Sequence, residues 1–410
     1  MIKHSEISYE VIPSDEAWRA VHTNDPYASP ASLEFGGREI LKDCRFYLDA
    51  LGSERAPLGK TKGYRKGGAA VVEEHGHLPF GNQLRFVHTT RYASNHMRVT
   101  ADFNWPRDTM VERHFGLDGL FLPGQWTEYA VIPPVLHLEE GVEPTTVAIS
   151  APADKPVMAG HWHRPPLSLV FRDASGLEVE IGTGMDIWRW EQCFGAGPEN
   201  GSFKIMTEAD GVRLIREPLM CCSPFVPDAR QYRFKWYGAW REATQNSPLP
   251  KNPQVLKFEQ NGEIDWAGWN ISPEAPWLLD FRDVNWPEAA TRDGEALTPG
   301  SDAGVCWQSS AVNRMARRIF RQIAGRKSSG TLLVRGLNVG WCRNASHLER
   351  GGEDKVLRHW DIDGVLDLGV WARQQLGPDW DIRIAPETAL SLPVLGGLFQ
   401  ENGFETEAVL

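Results

Sequence analysis

The stretch from His161 to Glu191 holds the residue types that acid–base chemistry on a polar substrate requires. It opens on His161-Trp162-His163 and closes on Asp186, Trp188, Arg189, Trp190 and Glu191. An imidazole takes up and releases a proton near neutral pH. A carboxylate held beside indoles is partly desolvated, which raises its pKa toward that of a general acid. Two carboxylates flanking a glycosidic bond are the usual tools of its cleavage, so Asp186 and Glu191 are the candidate pair and His163 a third acid–base group. Arg189 would orient a hydroxyl or a carboxylate. Trp162, Trp188 and Trp190, with His161 beside them, would offer flat apolar faces to a sugar ring. If 186–191 stays extended, Asp186, Trp188 and Trp190 share one face and Arg189 and Glu191 the other; a helical turn would instead bring Asp186 toward Arg189 or Trp190.

Three further constellations carry similar chemistry. Glu112 and His114 alternate onto one face of an expected strand, where they form either an acid–base couple or a structural pair, and Trp126 follows the Pro123-Gly124 turn as a further platform residue. His359-Trp360-Asp361 precedes an expected helix. Asp361 suits its N-cap, and all three could reach a site from the C-terminal part of the chain. His75-Gly-His77 and His161-Trp-His163 each place two imidazoles on one side of a strand. Two such pairs would make a four-His site for a divalent metal, the alternative to a reading with no cofactor. The chain has no GxGxxG, no GxSxG and, in the Gly/Lys-rich segment 58–68, no GxxxxGK[ST]. Nucleotide cofactors and a serine-hydrolase elbow therefore find no support, and 58–68 reads as a mobile surface loop.

The elements that must hold these groups are mostly strands. Runs 167–172 and 177–182 are joined by Asp173-Ala-Ser-Gly176, the clearest hairpin in the chain, so imidazoles enter at its start and carboxylates leave at its end. Runs 84–92 and 96–104 alternate, with Met97, Val99, Ala101 and Phe103 on one face and Arg98, Thr100 and Asp102 on the other. Strands are also expected at 109–115, 119–122, 126–132, 202–208, 212–218 (turning at Asp210-Gly211), 231–239 and 254–259. Segment 243–304 is rich in Pro, Asn, Gly and Asp and reads as a junction. Beyond it, 311–324 carries Val312, Met315, Ile319, Phe320 and Ile323 at helical spacing. Arg314, Arg317, Arg318 and Arg321 lie on its other faces, read as solvated rather than nucleic-acid-binding. A strand at 331–335, a helix at 361–376, and strands at 380–384 and 404–409 complete a small α/β unit. The fold class is thus mainly β. A lead-in at 1–30 precedes a large antiparallel β-sandwich at 31–304, and an α/β subdomain at 305–410 closes the chain.

Bulk properties narrow the partners. The chain has 410 residues and a net charge of −11, which argues against a general nucleic-acid binder. No apolar run reaches the ~18 residues of a membrane span, and the start lacks an apolar leader core, so a cytoplasmic protein is expected. Six cysteines without a CxxC read as reduced thiols. With 17 Trp against 8 Tyr, at least two or three indoles are expected to line a ligand groove. Self-association is left open.

The long antiparallel strands across 84–260, with His, Arg, Trp and carboxylates at their ends, resemble the β-supersandwich proteins of the galactose mutarotase-like superfamily. The resemblance covers residues 30–300. It implies a concave sheet face that binds carbohydrate, and a His acid with a Glu base. His114 or His163 with Glu112 or Glu191 would fill those roles. The α/β C-terminus departs from a plain mutarotase and leaves room for a hydrolase or a lyase. The resulting expectation is a carbohydrate-active enzyme, a glycoside hydrolase first and a lyase or epimerase next. The alternatives are a non-catalytic sugar-binding protein and a metal-dependent enzyme using the His-x-His pairs.

Overall fold

The computed structural model describes residues 2–4, 8–13, 16–23, 30–44, 46–50, 61–66, 69–78, 84–93, 95–104, 111–132, 145–150, 152–159, 166, 168–183, 203–220, 231–242, 252–259, 262–267, 272, 274–287, 290–291, 304–337, 341–342, 347, 359–360 and 362–384. Among the described residues the strands form two large antiparallel sheets, one of ten strands and one of nine. The second sheet runs, edge to edge, through Thr145–Ala148, Trp126–Ile132, Ser168–Asp173, Leu177–Thr183, Gln231–Glu242, His96–Asn104, Leu84–Ala93, Ala69–Leu78 and Thr61–Lys66. Alternation drives the packing of both. Leu33, Ile40, Leu120, Leu122 and Leu214 of the first sheet share one core with Val72, Tyr92, Met97, Leu169, Phe171, Ile181 and Trp240 of the second.

Part of the second sheet is covered on its other face as well. Ala130, Ile132, Val170, Tyr237 and Ala239 alternate with the inner residues and belong to a second core, shared with the C-terminal unit. This is why Ser168–Asp173 begins with four consecutive buried positions instead of strict alternation. The C-terminal unit has a parallel sheet in the order Gln254–Val255, Trp277–Asp280, Gly330–Arg335, Trp380–Ile384. Helices α1 (Ser310–Arg326) and α2 (Ile362–Leu376) precede its third and fourth strands as crossovers. The Ser309 hydroxyl accepts the Ala311 amide proton to cap α1, and Val312, Ala316, Ile319, Phe320 and Ile323 form its buried stripe. The basic face of α1 is used in packing: the guanidinium groups of Arg317 and Arg321 lie over the Trp371 ring at 4.9 and 5.5 Å, and Arg318 pairs with Glu263.

Several expectations are revised. Residues 2–23 are not a plain lead-in: Ile2–His4, Ser8–Val11 and Trp18–Thr23 extend the first sheet. The Gly/Lys-rich segment yields the strand Thr61–Lys66, whose backbone pairs with Ala69–Leu78, instead of an open loop. The two strands expected at 109–122 are one, Val111–Pro123, bent by register shifts. The strand at 254–259 shortens to Gln254–Val255. The Pro-rich junction contributes Trp277–Asp280, so the α/β unit draws in residues well before 305. The strand at 404–409 lies outside the described residues. No helix among them is long and apolar enough to cross a membrane.

Candidate functional site

The C-terminal unit covers only part of the outer face of the second sheet. On the remainder, register places the outward residues in rows. Tyr64 lies opposite Val71, Val71 opposite Arg91, and Arg91 opposite Arg98, whose other register partner is the covered Tyr237. The next row holds Lys62, Glu73, Thr89 and Thr100, and beyond it lie His75, Val87 and Asp102. Their inward neighbours Val72, Glu74, His88, Thr90, Tyr92, Met97 and Val99 are all buried. One face of four adjacent strands therefore presents titratable and hydrogen-bonding groups, while the other fills the sandwich.

Two clusters organise this face. In the first, the Tyr64 hydroxyl donates to Glu73 Oε1, and His75 Nε2 stands 3.6 Å from Glu73 Oε2. The hydrogen bond to Glu73, burial and the Glu73 charge together push the Tyr64 phenol up to about 12, so it is a standing donor at neutral pH. The His75 and Glu73 side chains are 41% and 25% exposed, with the His75 Nε2 atom itself buried. In the second, Asp367 of α2 pairs with Arg98 and lies 3.4 Å from Arg91. It bridges two guanidinium groups from facing strand positions and ties α2 to the polar face.

Toward the covered side lies a sealed network. Glu180 accepts from the Ser168 hydroxyl at 2.6 Å and the Tyr237 hydroxyl at 3.2 Å, all buried. Burial and the nearby Glu180 charge push the Tyr237 phenol well above its ordinary value. A Cβ at Gly182 would meet the Tyr237 ring at 1.9 Å, so only glycine lets that ring lie across the strand.

A further charged group sits at the carboxyl end of the parallel strands. Burial would raise the Asp280 carboxyl, but hydrogen bonds from the Arg282 side chain and amide, with the charges of Arg282 and Arg335, outweigh it and hold the group below the usual carboxylate range. Gly336, at φ +81°, packs 3.0 Å from the Arg282 amide nitrogen, as measured from where a Cβ would stand.

The expected site residues are distributed as follows. His161, Trp162, His163, Asp186, Trp188, Arg189, Trp190, Glu191 and Asp361 lie outside the described residues, as does the four-His metal site built on His161 and His163. Glu112 and His114 fall in the first sheet, in Val111–Pro123, while the hairpin Ser168–Asp173/Leu177–Thr183 is in the second. His359 and Trp360 form a two-residue strand with Trp341–Cys342. Trp126 is 5% exposed; its indole N–H donates to the Leu122 carbonyl at 3.1 Å, its ring meets Phe171 edge-on, and Arg38 lies over it. That is core packing, not an open platform. Trp236, Trp240 and Trp286 are buried as well. Missed by the sequence reading were Tyr64, Glu73, Arg91 and Asp367. The signal for Glu73 and Arg91 was the polar half of the alternation in 69–104, recognised at Arg98, Thr100 and Asp102 but not followed across the neighbouring strands.

No protein-family model and no curated protein matches the chain. Among solved structures it is similar to a galactose mutarotase-like protein from Lactobacillus casei at 8% identity, covering 57% of this chain and 100% of that one with a TM-score of 0.36. A galactose mutarotase related enzyme from Lactobacillus acidophilus is matched at 7% identity, over 61% of this chain and 99% of that one, with a TM-score of 0.33. A beta-arabinopyranosidase is matched at 10% identity, over 93% of this chain and 55% of that one, with a TM-score of 0.34.

Proposed function

We propose that the protein is a carbohydrate-active enzyme that binds a glycoside or oligosaccharide on the polar face of the second sheet and cleaves it by acid–base catalysis. The observation that carries this reading is where the hairpin opens. Ser168 pairs with Gly182, Gly182 with Tyr237, and Tyr237 with Arg98. The hairpin's described ends, Ser168 and Thr183, thus lie in register with the strand Gln231–Glu242 next to that face; His161 and His163 precede this end in the chain, and Asp186 and Glu191 follow it. Asp186 and Glu191, with His163, would supply the acid–base groups, and Trp162, Trp188 and Trp190 the stacking surface. His161 and Arg189 would bind hydroxyls, and so would His359, Trp360 and Asp361 if the C-terminal unit borders the ligand. Glu73 and His75 join this set as a partly exposed carboxylate–imidazole couple already oriented by Tyr64. The couple Glu112–His114 remains a second candidate for acid and base from the opposite sheet. Epimerisation and elimination use the same groups and are the neighbouring reactions.

The test is a panel of oligosaccharides and aryl glycosides. New reducing ends, lost by about 100-fold or more in Asp186→Asn or Glu191→Gln and reduced in Glu73→Gln, support hydrolysis. Unsaturated product absorbance would transfer the reading to a lyase. Thermal shifts with sugars but no turnover would sink the enzyme reading and leave a binding protein.

A further inference from the structure

Cys306, Cys342 and His347 bring one ligand atom each to within 4.8 Å of one another. Cys342 Sγ lies 3.3 Å from His347 Nδ1. A tetrahedral zinc ion, with Zn–S of about 2.3 Å and Zn–N of about 2.0 Å, holds a sulfur and a nitrogen about 3.5 Å apart and two sulfurs about 3.8 Å apart. The Cys342–His347 pair thus already stands near ligand spacing, and the Cys306 sulfur lies within 4.8 Å of both. Both cysteines are fully buried and His347 is half-buried. A nucleophilic Cys–His pair needs neither a second thiol nor a sealed position, whereas a closed metal centre needs both.

The backbone supports the placement. The Cys306 amide donates to the Ala290 carbonyl at 2.9 Å, and the Cys306 carbonyl accepts from Ser309, the cap of α1. Cys342 sits in the two-stranded ribbon, with His359 as its register partner, three residues before α2. Cys342 and His347 are five residues apart, a local pair, while Cys306 comes from a distant segment. The cluster thus joins the start of α1, the ribbon and the approach to α2, where Gly364 packs so closely that a Cβ would lie 2.2 Å from the Trp307 carbonyl.

We propose that Cys306, Cys342 and His347 bind a thiophilic divalent cation of the zinc class, and that this centre staples the C-terminal unit. It is a different site from the four-His arrangement considered from the sequence, and it stands whether or not the polar face binds sugar. The test uses the full chain expressed without a His-tag in zinc-supplemented medium. Metal analysis is expected to find about one Zn2+ per chain, and cobalt substitution should give the thiolate-to-cobalt charge-transfer and ligand-field bands of a tetrahedral site. Cys306→Ser and Cys342→Ser should each lower the content to below about a tenth of that, with Cys44→Ser unchanged. Because the variants could fail to fold, the wild-type chain is also probed directly: Cys306 and Cys342 should resist alkylation until a chelator is added, then react together. Absence of metal from the wild type, cobalt spectra without thiolate bands, a Cys306–Cys342 disulfide in freshly purified protein, or alkylation indifferent to chelator would each overturn the proposal.

Discussion

Two neighbouring glutamates of one strand, Glu73 and Glu74, sit in clusters with the same three functional groups and opposite surroundings. On the outer face Glu73 receives the Tyr64 hydroxyl and stands beside His75, with its side chain a quarter exposed. On the inner face Glu74 lies 3.4 Å from His22 Nδ1, and His22 Nε2 is 2.7 Å from the Tyr92 hydroxyl, all sealed between the sheets. Burial, the Glu74 charge and Cys44 push the Tyr92 phenol well above its ordinary value. A carboxylate, an imidazole and a phenol are thus not a site in themselves. The alternation of the strand, which sends successive side chains to opposite faces, decides which trio can meet a substrate and which becomes part of the core.

That contrast yields graded expectations. The largest concerns stability: Glu74→Ala removes one partner of a buried polar cluster and should cost about 3–5 kcal/mol, read by urea unfolding. Glu73→Ala, on the open face, should cost less than about 1 kcal/mol while still impairing turnover. Equal costs at the two positions would break the comparison.

A second expectation concerns acid. Asp173, Glu178 and Asp280 are all desolvated, yet all are held below the usual carboxylate range. Arg38, Ser175 and the Leu177 amide hold Asp173; Arg172 and Arg241 hold Glu178; Arg282 and Arg335 hold Asp280. Because their folded pKa values are depressed, the stability they contribute is present above about pH 4 and drains away as the pH falls through the folded values. The Tm should therefore decline from about pH 4 downward, and Asp280→Asn should flatten part of that decline. A Tm independent of pH in that window would contradict these assignments.

The smallest effect is spectroscopic. Subtracting the ultraviolet titration of Tyr64→Phe from that of the wild type should reveal one phenol ionising near 12. A difference titration centred at the ordinary value of about 10 would mean that the hydrogen bond to Glu73 does not persist in solution.

Much of the scaffold could be read in advance wherever a local rule was strong. The turns at Asp173–Gly176 and Asp210-Gly211 marked their hairpins, the 3.6-residue stripe Val312–Ile323 marked α1, and the alternation of 96–104 separated Met97 and Val99 from Arg98 and Thr100. Where local signals were mixed, pairing decided. Lys- and Gly-rich Thr61–Lys66 is a strand because the edge of Ala69–Leu78 offers it hydrogen-bonding partners. Trp126 carried the mark of a sugar platform by type alone, yet the neighbouring Phe171 and the Leu122 carbonyl claim its ring and its N–H.

The sequence by itself determined the residue chemistry, the face each strand residue takes, and the change from β to α/β in the last third of the chain, because these follow from periods of two and 3.6 and from turn chemistry within short windows. Only the tertiary structure decided that Asp367 of α2 meets Arg91 and Arg98, that Glu73 is open where Glu74 is sealed, and that Cys306 reaches Cys342 and His347. Those contacts join segments tens to hundreds of residues apart. They depend on which sheet face the C-terminal unit covers, a choice made by the summed burial of a core to which no single window of sequence contributes more than a fraction.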